Sequence, residues 1–232
     1  MTEIKNSKGL AILGMHRSGT STLAGTMRAN GIYFGDVLHK GSPRNAKGFH
    51  EPRALLYMHE DLLLKNGGAW HDPPSAISWD PLHKAVRDLF IESRSDKPLW
   101  AFKDPRTLLV LEGWLEVLPN LKFVGIFRHP AEVVASIQDR NHFSAVKGFE
   151  IWCAYNQILL DKLNEASFPL VEFVNTPDMP IRFEKLFERL GLTLTPEGAD
   201  FFDPNLKHFV RPDIPVPSHA QRLYDALREH AL

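Results

Sequence analysis

The chain has 232 residues, 44% hydrophobic and 24% charged, with a formal net charge of −1. This fits one large α/β domain over residues 1–232 and gives no global basic field, so nucleic acid is not an expected partner and any anionic ligand must be held by local clusters. One cysteine, Cys153, excludes an internal disulfide, no apolar signal-peptide core follows Met1, and no run reaches the ~18 apolar residues of a membrane span; a cytoplasmic protein is the expectation.

The first apolar run, "LAIL" at 10–13, reads as a buried parallel strand and leads into "GMHRSGTST" at 14–22. Gly14 and Gly19 have the spacing G-x-x-x-x-G of a phosphate-binding loop. Hydroxyl residues follow, and Thr20–Ala29 reads as a helix. In a strand–turn–helix context, successive backbone N–H groups and the helix N-terminus converge on one spot. Ser18, Thr20, Ser21 and Thr22 add hydroxyls. The lysine that serves a nucleoside triphosphate is missing: Thr20 stands in its place, and the loop's cation is Arg17.

Further along, "NAKGFHEPRALL" sets Glu51 before Pro52 and a helix over 53–65. Residues 67–80, "GGAWHDPPSAISWD", read as a long loop that either shapes a substrate mouth or simply covers surface. A helix is expected over 81–94 and a second strand, "LWAF", over 99–102. That strand ends in "KDPRT", where Lys103, Asp104 and Arg106 stand within four residues; the same stretch also resembles a metal-binding Walker B strand. A helix is expected over 107–118, a third strand, "FVGIF", over 123–127, and a helix over 131–140. Arg128 leaves the third strand, and Ser136 sits two turns into that helix. Eight residues are close to whole turns, so Ser136 faces back toward Arg128 and the two make a second anion pocket. Helices at 148–166, 182–190 and 218–230 and a strand "LVEFV" at 170–174 complete the pattern. The alternation predicts a three-layer, P-loop-like α/β fold with a mostly parallel sheet, its ligand site at the carboxyl ends of the strands.

With these residues in view, "GMHRSGTS" and "FRHPAEVVAS" resemble the sulfotransferases that use 3′-phosphoadenosine 5′-phosphosulfate (PAPS). The resemblance implies that the loop, Gly14 to Thr22 with His16 and Arg17, holds the 5′-phosphosulfate. It implies that Arg128 and Ser136 hold the 3′-phosphate, with Arg211 of "HFVRP" as a later arginine for the same group. "KDP" at 103–105 is similar to a strand-end lysine motif of the tyrosylprotein and heparan-type members, implying that Lys103 lies near the transferred group. A donor with one 5′-phosphate and a sulfonate needs amides, hydroxyls and a flanking cation rather than a lysine–magnesium pair.

Sulfonate transfer by in-line displacement then requires cations against the leaving phosphate, here Arg17 and Lys103, and a base for the acceptor. Base candidates are Glu51, His50, His16 and Asp104, with Glu51 favoured and Asp104 more suited to orienting Lys103 or Arg106. No metal site is expected. The acceptor is a hydroxyl or amine on a small molecule, glycan or peptide, and nothing in the loops selects among these. The rival readings are a P-loop small-molecule kinase or nucleotide hydrolase, and a nucleotide-binding protein without turnover.

Overall fold

The computed structural model describes residues 8–39, 47–203 and 213–232. Four strands, β1 (Lys8–Leu13), β2 (Leu99–Lys103), β3 (Lys122–Phe127) and β4 (Leu170–Glu172), form one sheet in the order β2-β1-β3-β4. Every pairing is parallel. The fold is therefore the α/β class expected, with helices on both faces. No helix among the described residues is long and apolar enough to cross a membrane.

Residue alternation explains how two cores grow from one sheet. Successive side chains in a strand point to opposite faces. Ala11, Leu13, Trp100, Phe102, Phe123, Phe127 and Leu170 join one apolar cluster, which they share with α2 (Arg53–Lys65), α3 (Pro81–Glu92), α5 (Pro130–Asn141), α6 (Ala145–Ala166) and α9 (Ser218–Glu229). Leu10, Ile12, Ala101, Val124, Ile126 and Val171 join the other, with α1 (Thr20–Ala29) and α7 (Met179–Arg189). The same parity carries through the end of β2: Lys103, its last residue, points toward α1, whereas Asp104 points toward α2.

Most expected elements appear within two or three residues. Three differ. The helix expected over 107–118 is a 3₁₀ helix, Pro105–Val110, followed by the five-residue α4, Leu111–Leu115. Asp104 accepts from the backbone N–H of Arg106 and so sets a tight turn in place of a full α-helical start. β4 ends at Glu172, short of the expected 174, and the chain then bends so that Phe173 meets the phosphate-type loop. A short α8 (Pro196–Asp200), capped by Thr195, had no apolar periodicity to announce it. The loop at 67–80 divides its tryptophans: Trp79 packs on Gly113 and Trp114, and Trp70 packs on His16.

In the order β2-β1-β3-β4 the chain proceeds to one side of β1 and then to the other. A crevice is left outside the carboxyl end of β1, where open parallel sheets bind ligands. That end is Gly14.

Candidate functional site

The loop after β1 is built for close approach. A Cβ on Gly14 would lie 2.4 Å from the carbonyl oxygen of Ile126, so only glycine lets the loop press on β3. Gly19 has φ 89°, and a Cβ there would meet the Phe173 ring at 2.4 Å. Arg17 is also left-handed, φ 69°, which for a non-glycine residue is a strained conformation of the kind found at functional sites. α1 starts on Gly19 with no side-chain cap, so its first-turn N–H groups have no acceptor within the helix. The Oγ of Ser18 is buried and has no partner among the described residues. Unspent donors at a helix N-terminus fit an anion.

The second predicted pocket is not separate from the first. Arg17 Nε donates to Ser136 Oγ at 2.7 Å. Arg128 Nη1 lies 3.5 Å from the Arg17 carbonyl, and its Nε and Nη2 each lie 2.7 Å from the Glu132 carboxylate. The guanidinium sits 5.3 Å from the Phe173 ring, and the Arg128 carbonyl accepts from Trp152 Nε1 at 3.1 Å, which pins the strand end to α6.

Lys103 continues β2 toward α1 and is fully buried. Its Nζ lies 2.6 Å from Glu51 Oε1 and 3.2 Å from Ser21 Oγ. Glu51 is placed by a short antiparallel contact, in which His39 N–H donates to the Glu51 carbonyl at 2.7 Å and Arg53 N–H to Val37 at 3.1 Å. The adjacent His50, left-handed at φ 55°, packs its ring on Phe201. Burial, and then the Lys103 ammonium, lower its pKa to about 4.

Asp104 points the other way, toward α2. It is fully buried, lies 2.9 Å from His59 Nδ1 and accepts from Arg106 Nη1 at 2.8 Å. Trp114 Nε1, a donor only, lies 3.1 Å from His59 Nε2, so the His59 proton sits on Nδ1 and is donated to Asp104. Burial alone would raise the Asp104 pKa; Arg106 and His59 outweigh it and hold the carboxyl well below its ordinary range. Arg106 also pairs with Glu60 at 2.5 Å.

His16 turns its ring away from the loop, onto Trp70 at 4.6 Å and Tyr155 at 6.1 Å. Burial, reinforced by the guanidinium groups of Arg106 and Arg140, holds its imidazole well below the usual range. Burial also pushes the Tyr155 phenol well up, and its hydroxyl donates to the Trp70 carbonyl at 2.9 Å.

One cleft of about 720 Å³ brings the predicted residues together. His16, Arg17, Gly19, Thr20, Ser21, Thr22, Glu51, Arg128 and Ser136 line it, whereas Gly14, Ser18 and Lys103 are buried and do not. Arg211 lies outside the described residues. Sequence reading missed an aromatic wall, Phe173, Phe201 and Phe202, together with Lys47, whose ammonium stands 4.9 Å over the Phe201 ring. One signal was available. Gly25 interrupts the middle of α1, and a Cβ there would lie 2.1 Å from the Phe201 ring, so the glycine marks the wall's close approach.

The family model for the sulfotransferase family matches residues 10–186, a stretch that holds every residue of this cleft except Phe201, Phe202 and Asp203. The chain belongs to the sulfotransferase family. Among solved structures, this sulfotransferase is similar to the sulfotransferase domain of the Synechococcus PCC 7002 olefin synthase, at 15% identity over 96% of this chain and 95% of that one, with a TM-score of 0.62. It is also similar to sulfotransferase STF1 from Mycobacterium tuberculosis H37Rv, at 14% identity over 96% of this chain and 77% of that one, with a TM-score of 0.47. The search of curated proteins finds no match. As a member of the family, the protein is a transferase whose cleft lies at the topological switch point of its sheet.

Proposed function

We propose that the protein moves the sulfonate of PAPS onto a hydroxyl or amine acceptor. The observation that carries this reading is the convergence, in one cleft, of the glycine loop with Arg17, the Arg128 and Ser136 pair, and Glu51 backed by the buried Lys103. An adenosine donor with anions at both ends of its ribose needs two anchors, and sulfonate transfer needs a cation beside the leaving phosphate and a base for the acceptor.

The residues fit such a donor. The α1 N-terminus, the loop amides from Gly14 through Thr22 and the Ser18 hydroxyl suit a phosphosulfate. Arg128, now paired with Glu132, and Ser136, now bonded to Arg17, suit the 3′-phosphate. In transfer, a bond forms from the acceptor oxygen to sulfur, the bond from sulfur to the bridging phosphate oxygen breaks, and the acceptor's proton goes to Glu51. Arg17 faces the charge that grows on the leaving oxygen, and Lys103, buried behind the cleft wall, supplies a second cation once it moves. Lys103 Nζ sits between Glu51 and Ser21, so moving toward that charge means releasing Glu51, which exposes the carboxylate as the oxygen loses its proton. His50 packs on Phe201 and His16 on Trp70, which leaves Glu51 as the base of this account.

The kinase reading draws on Asp104 as a Walker-B carboxylate. Its oxygens are spent on His59 and Arg106, and it does not line the cleft, which favours the sulfonate reading. The test is transfer from labelled PAPS to a panel of alcohols and amines. Glu51→Gln is expected to lose about 10²- to 10⁴-fold in rate while binding adenosine 3′,5′-bisphosphate as the parent does. Undiminished transfer by Glu51→Gln would remove the base from the proposal.

A further inference from the structure

His16, Leu56, Glu60, Pro105 and Arg106 form part of the lining of the cleft. Two of its polar atoms stand out. His16 Nε2 and Arg106 Nε are both buried and have no hydrogen-bond partner among the described residues. Arg106 is 6% exposed, and its terminal nitrogens are engaged by Asp104 and Glu60, so the free position is the one on Nε. Buried polar groups are seldom left unmade, because each orphan is costly. Two on residues that line one cleft mark a place where a ligand supplies the bonds.

Their chemistry restricts that ligand. Arg106 Nε–H donates only, so it needs an oxygen. The neutral His16 Nε2 pairs with a hydroxyl, which serves it in either tautomer. Arg106 brings no surplus charge of its own: its one guanidinium faces the carboxylates of Asp104 and Glu60, so it offers an acceptor a hydrogen bond rather than a net charge.

We propose that His16 and Arg106 are the specificity-determining pair of the acceptor subsite, and that they select an uncharged acceptor carrying a second hydroxyl beside the one that receives the sulfonate. This rests on the sulfonate-transfer reading of the same cleft. Trp70 must yield for it, since its indole packs on His16. Space is at hand: Trp70 also borders an adjoining pocket of about 220 Å³, apolar apart from Glu60, which it shares with the cleft. The Trp70 carbonyl is tied to Tyr155, so the movement is that of the side chain on a fixed backbone.

The probes are cyclohexane-1,2-diol and cyclohexanol, nearly isosteric and differing by one hydroxyl. Each is titrated by ligand-observed NMR into the protein loaded with adenosine 3′,5′-bisphosphate. The diol is expected to bind about 10- to 100-fold more tightly, the cost of leaving buried polar groups unpaired. His16→Phe keeps a ring against Trp70, and Arg106→Lys keeps the charge while removing Nε. Each variant is expected to erase most of the preference, and Arg106→Lys, outside the donor loop, to leave bisphosphate affinity within about threefold. Equal binding of the two alcohols, no binding of either, or variants that keep the preference overturns the proposal. Failure of the bisphosphate to bind is a different result: it removes the donor reading, and the same alcohol titrations on the free protein still decide the acceptor pair.

Discussion

Lys103 touches both Glu51 and Ser21 from a position with no access to water. A buried ion pair is costly to break from one side, because the partner's charge is then left uncompensated. Lys103→Met should therefore lose stability by about 3–5 kcal/mol, read as a lowered urea midpoint, together with about 10²- to 10³-fold in transfer rate. Lys103→Met/Glu51→Gln should recover part of the stability and none of the rate. Recovery of both would mean that the pair is a structural strut. Arg128 has a different task in this account. Arg128→Ala should weaken adenosine 3′,5′-bisphosphate by one to two orders of magnitude while leaving adenosine 5′-monophosphate nearly unchanged, as measured by calorimetry. Equal weakening of both ligands would detach Arg128 from the 3′-phosphate.

At the scale of elements, the site depends on how closely loops press on strands. Gly14→Ala places a methyl 2.4 Å from a backbone carbonyl of β3, which has no rotamer by which to yield. The substitution should cost about 1–3 kcal/mol or more and lower donor affinity with it, whereas Gly31→Ala, where a Cβ meets nothing within 4 Å, should strain only its own backbone at φ 87°. Thermal midpoints of the two variants give the comparison, and equal losses would mean that backbone conformation rather than close approach sets the requirement. These elements also mark what was legible in the sequence. Continuous apolar runs such as "LAIL" and "FVGIF" announce themselves as buried parallel strands, as does a glycine loop between a strand and a hydroxyl-rich helix start. The 3₁₀ turn at Pro105–Val110 did not, because it is set by the Asp104 carboxylate on its own backbone, and spacing carries no sign of that. The meeting of Arg17 and Ser136, 119 residues apart in the chain, which joins the two predicted pockets, was equally hidden: it depends on β1 and β3 lying side by side. The wall was hidden too: Phe173 fell inside the strand expected over 170–174, and Phe201 and Phe202 belonged to no expected element.

For the whole molecule, acid is the expected weakness, and histidines determine where it begins. His16 and His50 stay neutral in the fold, His50 down to about pH 4, yet both take up protons in the unfolded chain below about pH 6.5. The unfolded state then binds more protons than the folded one, so stability falls as pH drops from about 6.5 toward 4, by at most about 1.4 kcal/mol per pH unit for each such proton. Asp104 acts with the same sign but only near and below its unfolded value of about 3.9. Urea midpoints at pH 7.5, 6.0 and 5.0 should fall through the last interval, and His16→Phe or His50→Gln should flatten that fall. A midpoint constant down to pH 5 would show that the histidines are not kept neutral by the fold.

The central claim is that one cleft at the end of β1 holds both anionic ends of an adenosine donor without a metal-bound triphosphate site. The measurement that meets it most directly is the affinity of adenosine 3′,5′-bisphosphate, compared with adenosine 5′-monophosphate and ADP, in EDTA and again with excess magnesium. The bisphosphate is expected to bind at least about tenfold more tightly than the monophosphate, equally well with and without magnesium, and Arg128→Ala to abolish the preference. Tightest binding of ADP, appearing only with magnesium, would contradict it.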